Sequence, residues 1–121
     1  MRLATGEAAF QLQVEHLAHL YGWRTFHAPD NRPRRTRTGR VAKQRVTPGW
    51  PDLVLCRPPE LIIAELKGPT TRVTDAQREW LAALAECGIE VYLWRPVDMD
   101  AIHARLARRR GTSQDPTEEA A

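Results

Sequence analysis

No apolar run in this 121-residue sequence approaches the roughly 18 to 20 residues needed to cross a bilayer, so nothing in it reads as a membrane span. The opening stretch, MRLATGEAAFQLQVEHL, breaks into polar positions too early for a signal-peptide core, and a cytoplasmic protein is expected. Cysteine is scarce. Cys56 falls in an apolar, strand-like run and Cys87 at the end of a helix-like one, with no CxxC spacing and no histidine at zinc-ligand distance, so both are expected to be buried thiols. His16, His19, His27 and His103 are scattered over three elements and read as surface or packing residues. No internal repeat is found. Acid is missing from residues 31–50, which nevertheless hold Arg32, Arg34, Arg35, Arg37, Arg40, Lys43 and Arg45.

That segregation hides behind a modest net charge of +3. Outside the segment the remaining 11 of 18 basic residues meet 15 acidic ones, a net of −4. A cationic block of this kind fits a polyanion, because Lys and Arg on phosphates release condensed counterions and bind without regard to sequence. The stretch from Arg32 to Thr47 has no hydrophobic period and is rich in Arg, Thr, Pro and Gly, so residues 31–48 are expected to form a long, exposed, flexible loop.

The rest of the chain is long enough for one core. A single domain over residues 1–110 is expected, followed by a disordered tail over 111–121, GTSQDPTEEAA. Phe10, Val14, Leu17 and Tyr21 recur at offsets of three and four and predict a helix over Glu7–Tyr21, with Gly22 as its stop. Trp23 to Ala28 alternates as a short strand. Asp52–Cys56 and Leu61–Leu66 are apolar runs separated by Arg57, Pro58, Pro59 and Glu60, which predicts a hairpin whose sheet is covered on both faces. Thr74 with Gln77 three residues on forms a capping-box pattern, and Trp80, Leu81 and Leu84 supply the inward stripe of the helix that Gly88 ends. Ile89 to Trp94 predicts another strand, able to join the sheet in parallel by a right-handed crossover. Met99 to Arg110 predicts a last helix with Ile102 and Leu106 inward. The fold class is therefore α/β, one mixed sheet of about four strands flanked by helices, in the order helix, strand, loop, strand, strand, helix, strand, helix.

The hairpin has a chemical consequence. If Arg57 to Glu60 is the loop, opposing positions sum to 117, and Asp52 lies opposite Glu65. Opposed residues in an antiparallel ladder share a face with Cβ atoms about 4.5 to 5.5 Å apart, so two carboxylates converge and Lys67 projects from the same face. Two carboxylates at the end of an apolar hairpin repel and lose hydration unless a cation compensates, and such oxygen ligands suit Mg²⁺ or Mn²⁺.

Gly49-Trp50-Pro51-Asp52-Leu53 followed by Ala64-Glu65-Leu66-Lys67 resembles the PD-(D/E)XK nuclease superfamily, and specifically its VRR-NUC branch. The resemblance extends from Glu7-Ala8-Ala9-Phe10-Gln11 and Gly22-Trp23 to Thr74-Asp75-Ala76-Gln77, Trp80 and the strand after Gly88. It implies a restriction-endonuclease-like sandwich and a metal-dependent nuclease for DNA, directed to branched or flapped duplexes in repair, recombination or phage replication. It implies that Asp52 and Glu65 bind the metal, with the Leu66 carbonyl as a further ligand, and that Lys67 orients or deprotonates the attacking water. The acid expected from the first helix corresponds best to Glu7, with Glu15 the lesser candidate, and Gln77 matches a glutamine that faces the site. The Arg32–Arg45 segment and Arg72 are expected to hold the DNA backbone. Two rival readings stand beside this one: a Holliday-junction resolvase acting as a homodimer, and a DNA-binding module without catalysis.

Overall fold

The computed structural model describes residues 6–28, 34–35, 41–42 and 47–109. A four-stranded sheet runs in the order β1-β4-β5-β6, from β1 (Arg24–His27), β4 (Leu53–Arg57), β5 (Glu60–Leu66) and β6 (Glu90–Trp94). β4 runs antiparallel to both of its neighbours, β1 and β5, and β6 joins β5 in parallel after α2 (Asp75–Glu86), the crossover that a parallel pair requires. Helices α1 (Gly6–Leu20) and α3 (Met99–Ala107) complete the α/β sandwich. Among the described residues no helix is long and apolar enough to cross a membrane.

One face of the sheet carries the main core. Leu53, Leu55, Ile62, Ala64, Leu66 and Trp94 pack with Phe10, Val14 and Ala18 of α1 and Ile102 and Leu106 of α3. The α1 stripe has Ala18 fully buried where Leu17 and Tyr21 are only partly so. The chain leaves α1 through a Schellman turn: Trp23 N–H donates to Ala18 O at 2.9 Å and Gly22 N–H to His19 O at 3.1 Å, with Gly22 at φ +87°.

The opposite face is covered less completely than the apolar sequence suggests. By register it carries Val54, Cys56, Leu61, Ile63 and Glu65, the last of which meets Gln77 of α2. Leu61 is 40% exposed, Val54 and Cys56 are half-buried, and Phe26 on the edge strand is 56% exposed. No residue of α2 is fully buried, so Trp80, Leu81 and Leu84 form a half-buried stripe. Cys87, at the end of that same helix, is exposed rather than buried.

The hairpin register sums to 117 throughout, from Leu53↔Ala64 to Arg57↔Glu60. Its turn is tighter than expected. Arg57 and Glu60 are ladder partners, leaving only the cis-linked Pro58-Pro59 at the tip. These two charged residues are buried with Arg105 in a network that sequence patterning places in solvent. Arg57 Nη2 meets Glu60 Oε2 at 3.1 Å, and Arg105 meets Glu60 Oε1 at 2.7 Å and Glu90 Oε2 at 2.6 Å. The Arg57 guanidinium lies 4.2 Å from the Trp23 ring centre and donates to the carbonyls of Tyr21 and Leu106. Arg57 and Arg105 both donate to the Arg108 carbonyl, which satisfies the end of α3 at Ala107, three residues earlier than the sequence suggests.

The segment expected as plain loop contains a two-residue antiparallel ladder, β2 (Arg34–Arg35) with β3 (Val41–Ala42). Arg32, Arg37, Arg40, Lys43 and Arg45 lie outside the described residues, as does the tail expected over 111–121, and only the backbone of Arg34 and Arg35 is described.

Candidate active site

The site forms where β4 begins and β5 ends, at the opposite end of the hairpin from the arginine network. Asp52 reaches it through a fixed turn. Gly49 holds φ +84°, and a Cβ there would lie 2.5 Å from the Ala76 backbone, so the loop lies directly on α2. Trp50 packs edge-on against Trp80 with ring centres 4.9 Å apart, and Pro51 is fully buried. This aromatic contact explains why both tryptophans accompany the motif, a pairing that neither residue's local pattern reveals.

The ladder stops one pair short of Asp52 and Glu65. Asp52 lies just outside β4, its carbonyl accepting from Ala28 N–H at 2.8 Å and its Oδ2 from Leu66 N–H at 2.9 Å. The aspartate thus takes over a backbone donor at the point where regular pairing ends. Its carboxylate still bears on Glu65: burial first, and then the charge of Asp52, push the Glu65 carboxyl from the ordinary 4.5 up to about 7, against the opposing pull of Lys67.

Glu65 is 2% exposed. Its Oε2 accepts from Gln77 Nε2 at 2.9 Å and lies 3.5 Å from Lys67 Nζ, which is itself buried. Its Oε1 is buried without any hydrogen-bond partner. Gln77 performs two tasks that the sequence presents as alternatives. Its Oε1 accepts from Thr74 N–H at 2.8 Å while Thr74 Oγ1 accepts from Gln77 N–H at 3.1 Å, closing the capping box, and its amide nitrogen remains for Glu65.

Glu7 comes to the edge of this group rather than into it. Its Oε2 accepts from Gly68 N–H at 3.2 Å, and a Cβ on Gly68 would crowd Glu7 Cγ at 3.3 Å. Glu15 is occupied on the helix surface by Gln11, whose Nε2 donates to it at 3.0 Å. Among the described residues no three His, Cys, Asp or Glu side chains converge as a metal cluster, and of the expected trio Asp52, Glu65 and Glu7, the last lies alongside on Gly68 N–H. The donor chemistry of the pair still suits a hard cation. Two carboxylates, one with an orphaned oxygen, match an ion that keeps several waters.

Arg72 is exposed, one turn before α2, on the wall of a cavity of about 320 Å³ that Val73, Thr74, Asp75 and Arg78 also line. Arg95, which the sequence leaves without a role, donates from Nη1 to Gly68 O at 2.7 Å. The four histidines are exposed, two of them in surface hydrogen bonds, His19 with Thr25 and His103 with Tyr21.

A family model described as the VRR-NUC domain matches residues 9–98, which span both motif strands, Gln77 and β6. That domain is a nuclease-type domain, and DNA is the substrate it implies. No curated protein and no solved structure gives a significant match.

Proposed function

Because the chain belongs to the VRR-NUC family, we propose that it hydrolyses DNA phosphodiester bonds with the help of a divalent ion held by Asp52 and Glu65. The observation that carries this reading is the buried Glu65 carboxylate, whose Oε1 has no partner and whose neighbour is a second carboxylate. Lys67 compensates only in part, since burial and the Asp52 charge still raise the Glu65 carboxyl against its pull, and without a further cation two ionised carboxylates here are unfavourable. Mg²⁺ or Mn²⁺ accepts two protein carboxylates and fills its remaining positions with water and phosphate oxygens. When bound, such an ion polarises a phosphate and lowers the pKa of a water.

The chain's own residues supply the rest. Gln77 and Lys67 fix the orientation of Glu65, and Leu66 fixes Asp52 through its N–H, leaving the Leu66 carbonyl as a further candidate ligand. The Lys67 ammonium offsets negative charge developing on the phosphate and orients the attacking water. Glu7 anchors Gly68 and is the better placed of the two α1 glutamates to complete the site. Arg32, Arg34, Arg35, Arg37, Arg40, Lys43, Arg45 and Arg72 grip backbone phosphates, contacts that position a duplex without reading bases. Branched or flapped DNA, selected by shape, is the proposed substrate.

The test is incubation with labelled single-stranded, duplex, flapped and four-way DNA, with and without Mn²⁺. Metal-dependent cutting of flapped DNA by the natural chain, lost in Asp52→Ala with affinity retained, is expected. Cutting by Asp52→Ala at the natural rate, or none by the natural chain on any substrate, would overturn the proposal. Cutting confined to four-way DNA by a dimer would favour the resolvase reading.

A further inference from the structure

The parallel pairing of β5 with β6 extends one step beyond its last ladder pair. Glu65 lies beside Leu93 and Leu66 beside Trp94, and Lys67 N–H donates to Trp94 O at 2.9 Å. Arg95 keeps an extended backbone, φ −124° and ψ 164°, so the alternation of β6 continues through it. It therefore springs from the face that carries Leu93, Glu65 and Lys67. Adjacent strands lie about 4.8 Å apart, which makes Lys67 and Arg95 neighbours in one row.

Three arginines among the described residues are not exposed: Arg57, Arg95 and Arg105. Arg57 and Arg105 are ion-paired, at 3.1 Å and at 2.6–2.7 Å. Among the described residues Arg95 forms no ion pair and its guanidinium bonds only to the neutral Gly68 carbonyl, through Nη1. The nearby acids are engaged elsewhere, Glu7 with Gly68 N–H and Asp98 with the Arg95 backbone N–H at 2.9 Å. One nitrogen thus anchors the fork while Nη2 and Nε keep donors to offer. A planar guanidinium with free donors, half removed from water, suits a bidentate oxyanion such as phosphate.

We propose that Arg95 binds the backbone phosphate adjoining the one that is cut, so that Lys67 and Arg95 grip successive phosphates of one strand. This rests on the nuclease reading above and adds a substrate-positioning residue to it. The Gly68 carbonyl then serves as the clamp that aims the guanidinium.

Binding of a fluorescein-labelled flapped duplex, measured without divalent ions across a salt series, tests this directly. Arg95→Gln keeps a donor for Gly68 O but loses the charge. It is expected to weaken binding and to flatten the slope of log affinity against log salt by about one phosphate contact, whereas Arg95→Lys keeps the slope. An unchanged slope in Arg95→Gln overturns the inference. A second measurement needs no variant: phenylglyoxal modification of Arg95 in the natural chain, read by peptide mass spectrometry, should slow at least severalfold when the duplex is bound, and an unchanged rate also overturns it. If the natural chain binds no DNA at all, it is the nuclease reading that falls.

Discussion

One amide joins Glu65 to the first turn of α2: Gln77 donates through Nε2 to Glu65 Oε2 at 2.9 Å while its Oε1 accepts from Thr74 N–H at 2.8 Å. The helix start and the candidate metal ligand are therefore set by the same side chain.

This separates two variants of the same cap. Thr74→Ala removes only the capping oxygen and should lower stability by about 1 kcal/mol in urea unfolding, with cleavage per folded molecule unchanged. Gln77→Ala should cost a similar amount and also reduce cleavage, because Glu65 loses the donor that orients it. Equal activity in the two variants would show that the bond to Glu65 is idle.

The raised carboxyl of Glu65 makes metal-free stability depend on pH. Its value rises from 4.5 unfolded to about 7 folded, so the folded state holds the proton more tightly. The resulting stabilisation is complete below about pH 4.5 and is lost as pH rises through 7, on the order of 3 kcal/mol in total from this group. Urea midpoints of metal-free protein should show Glu65→Gln gaining stability relative to the natural chain as pH rises from 5 to 8, and a difference that does not change with pH would show that the carboxyl is not raised. Mn²⁺ should raise the melting temperature more at pH 8 than at pH 5.5, since proton and metal compete for the carboxylate.

Gly49→Ala should destabilise the chain by about 2 kcal/mol or more, because φ +84° is strained for alanine and the new methyl meets the Ala76 backbone. Relief requires the loop to lift from α2, which moves Asp52, so activity should fall further than stability predicts. Calorimetry combined with a cleavage assay on the folded fraction checks both.

At the other end of the hairpin, Arg105→Ala should cost roughly 3–5 kcal/mol by removing the buried cation that bridges the buried Glu60 and the half-buried Glu90. Below its melting temperature the variant should cut DNA at the natural rate, since no contact of Arg105 reaches Asp52 or Glu65. Reduced cutting by folded protein would show the two ends to be coupled.

The hairpin, its register and the capping box were legible because each rests on local rules: strand alternation, a turn between apolar runs, and a Thr-to-Gln spacing of three. The buried fate of Arg57 and Glu60 was not. A charged residue beside two prolines belongs in solvent by local reckoning, and the burial of both is tolerable only because distant groups meet them, the Leu106 carbonyl for Arg57 and the Arg105 guanidinium, 45 positions away, for Glu60. Asp52 and Glu65 were legible as neighbours through register, while the diversion of Glu7 to Gly68 depends on how α1 crosses the end of β5, which no periodicity encodes. Arg95 could have been found by carrying the parallel register one residue past Trp94.

Trp50 shares a loop with Asp52 and meets Trp80 at 4.9 Å and 79°. Two indoles so close and so inclined form an excitonically coupled pair, which makes the loop its own chromophore. A circular dichroism couplet from Trp50 and Trp80 would fade if the loop lifted from the helix, so its seating on α2 could be followed optically, with no label attached.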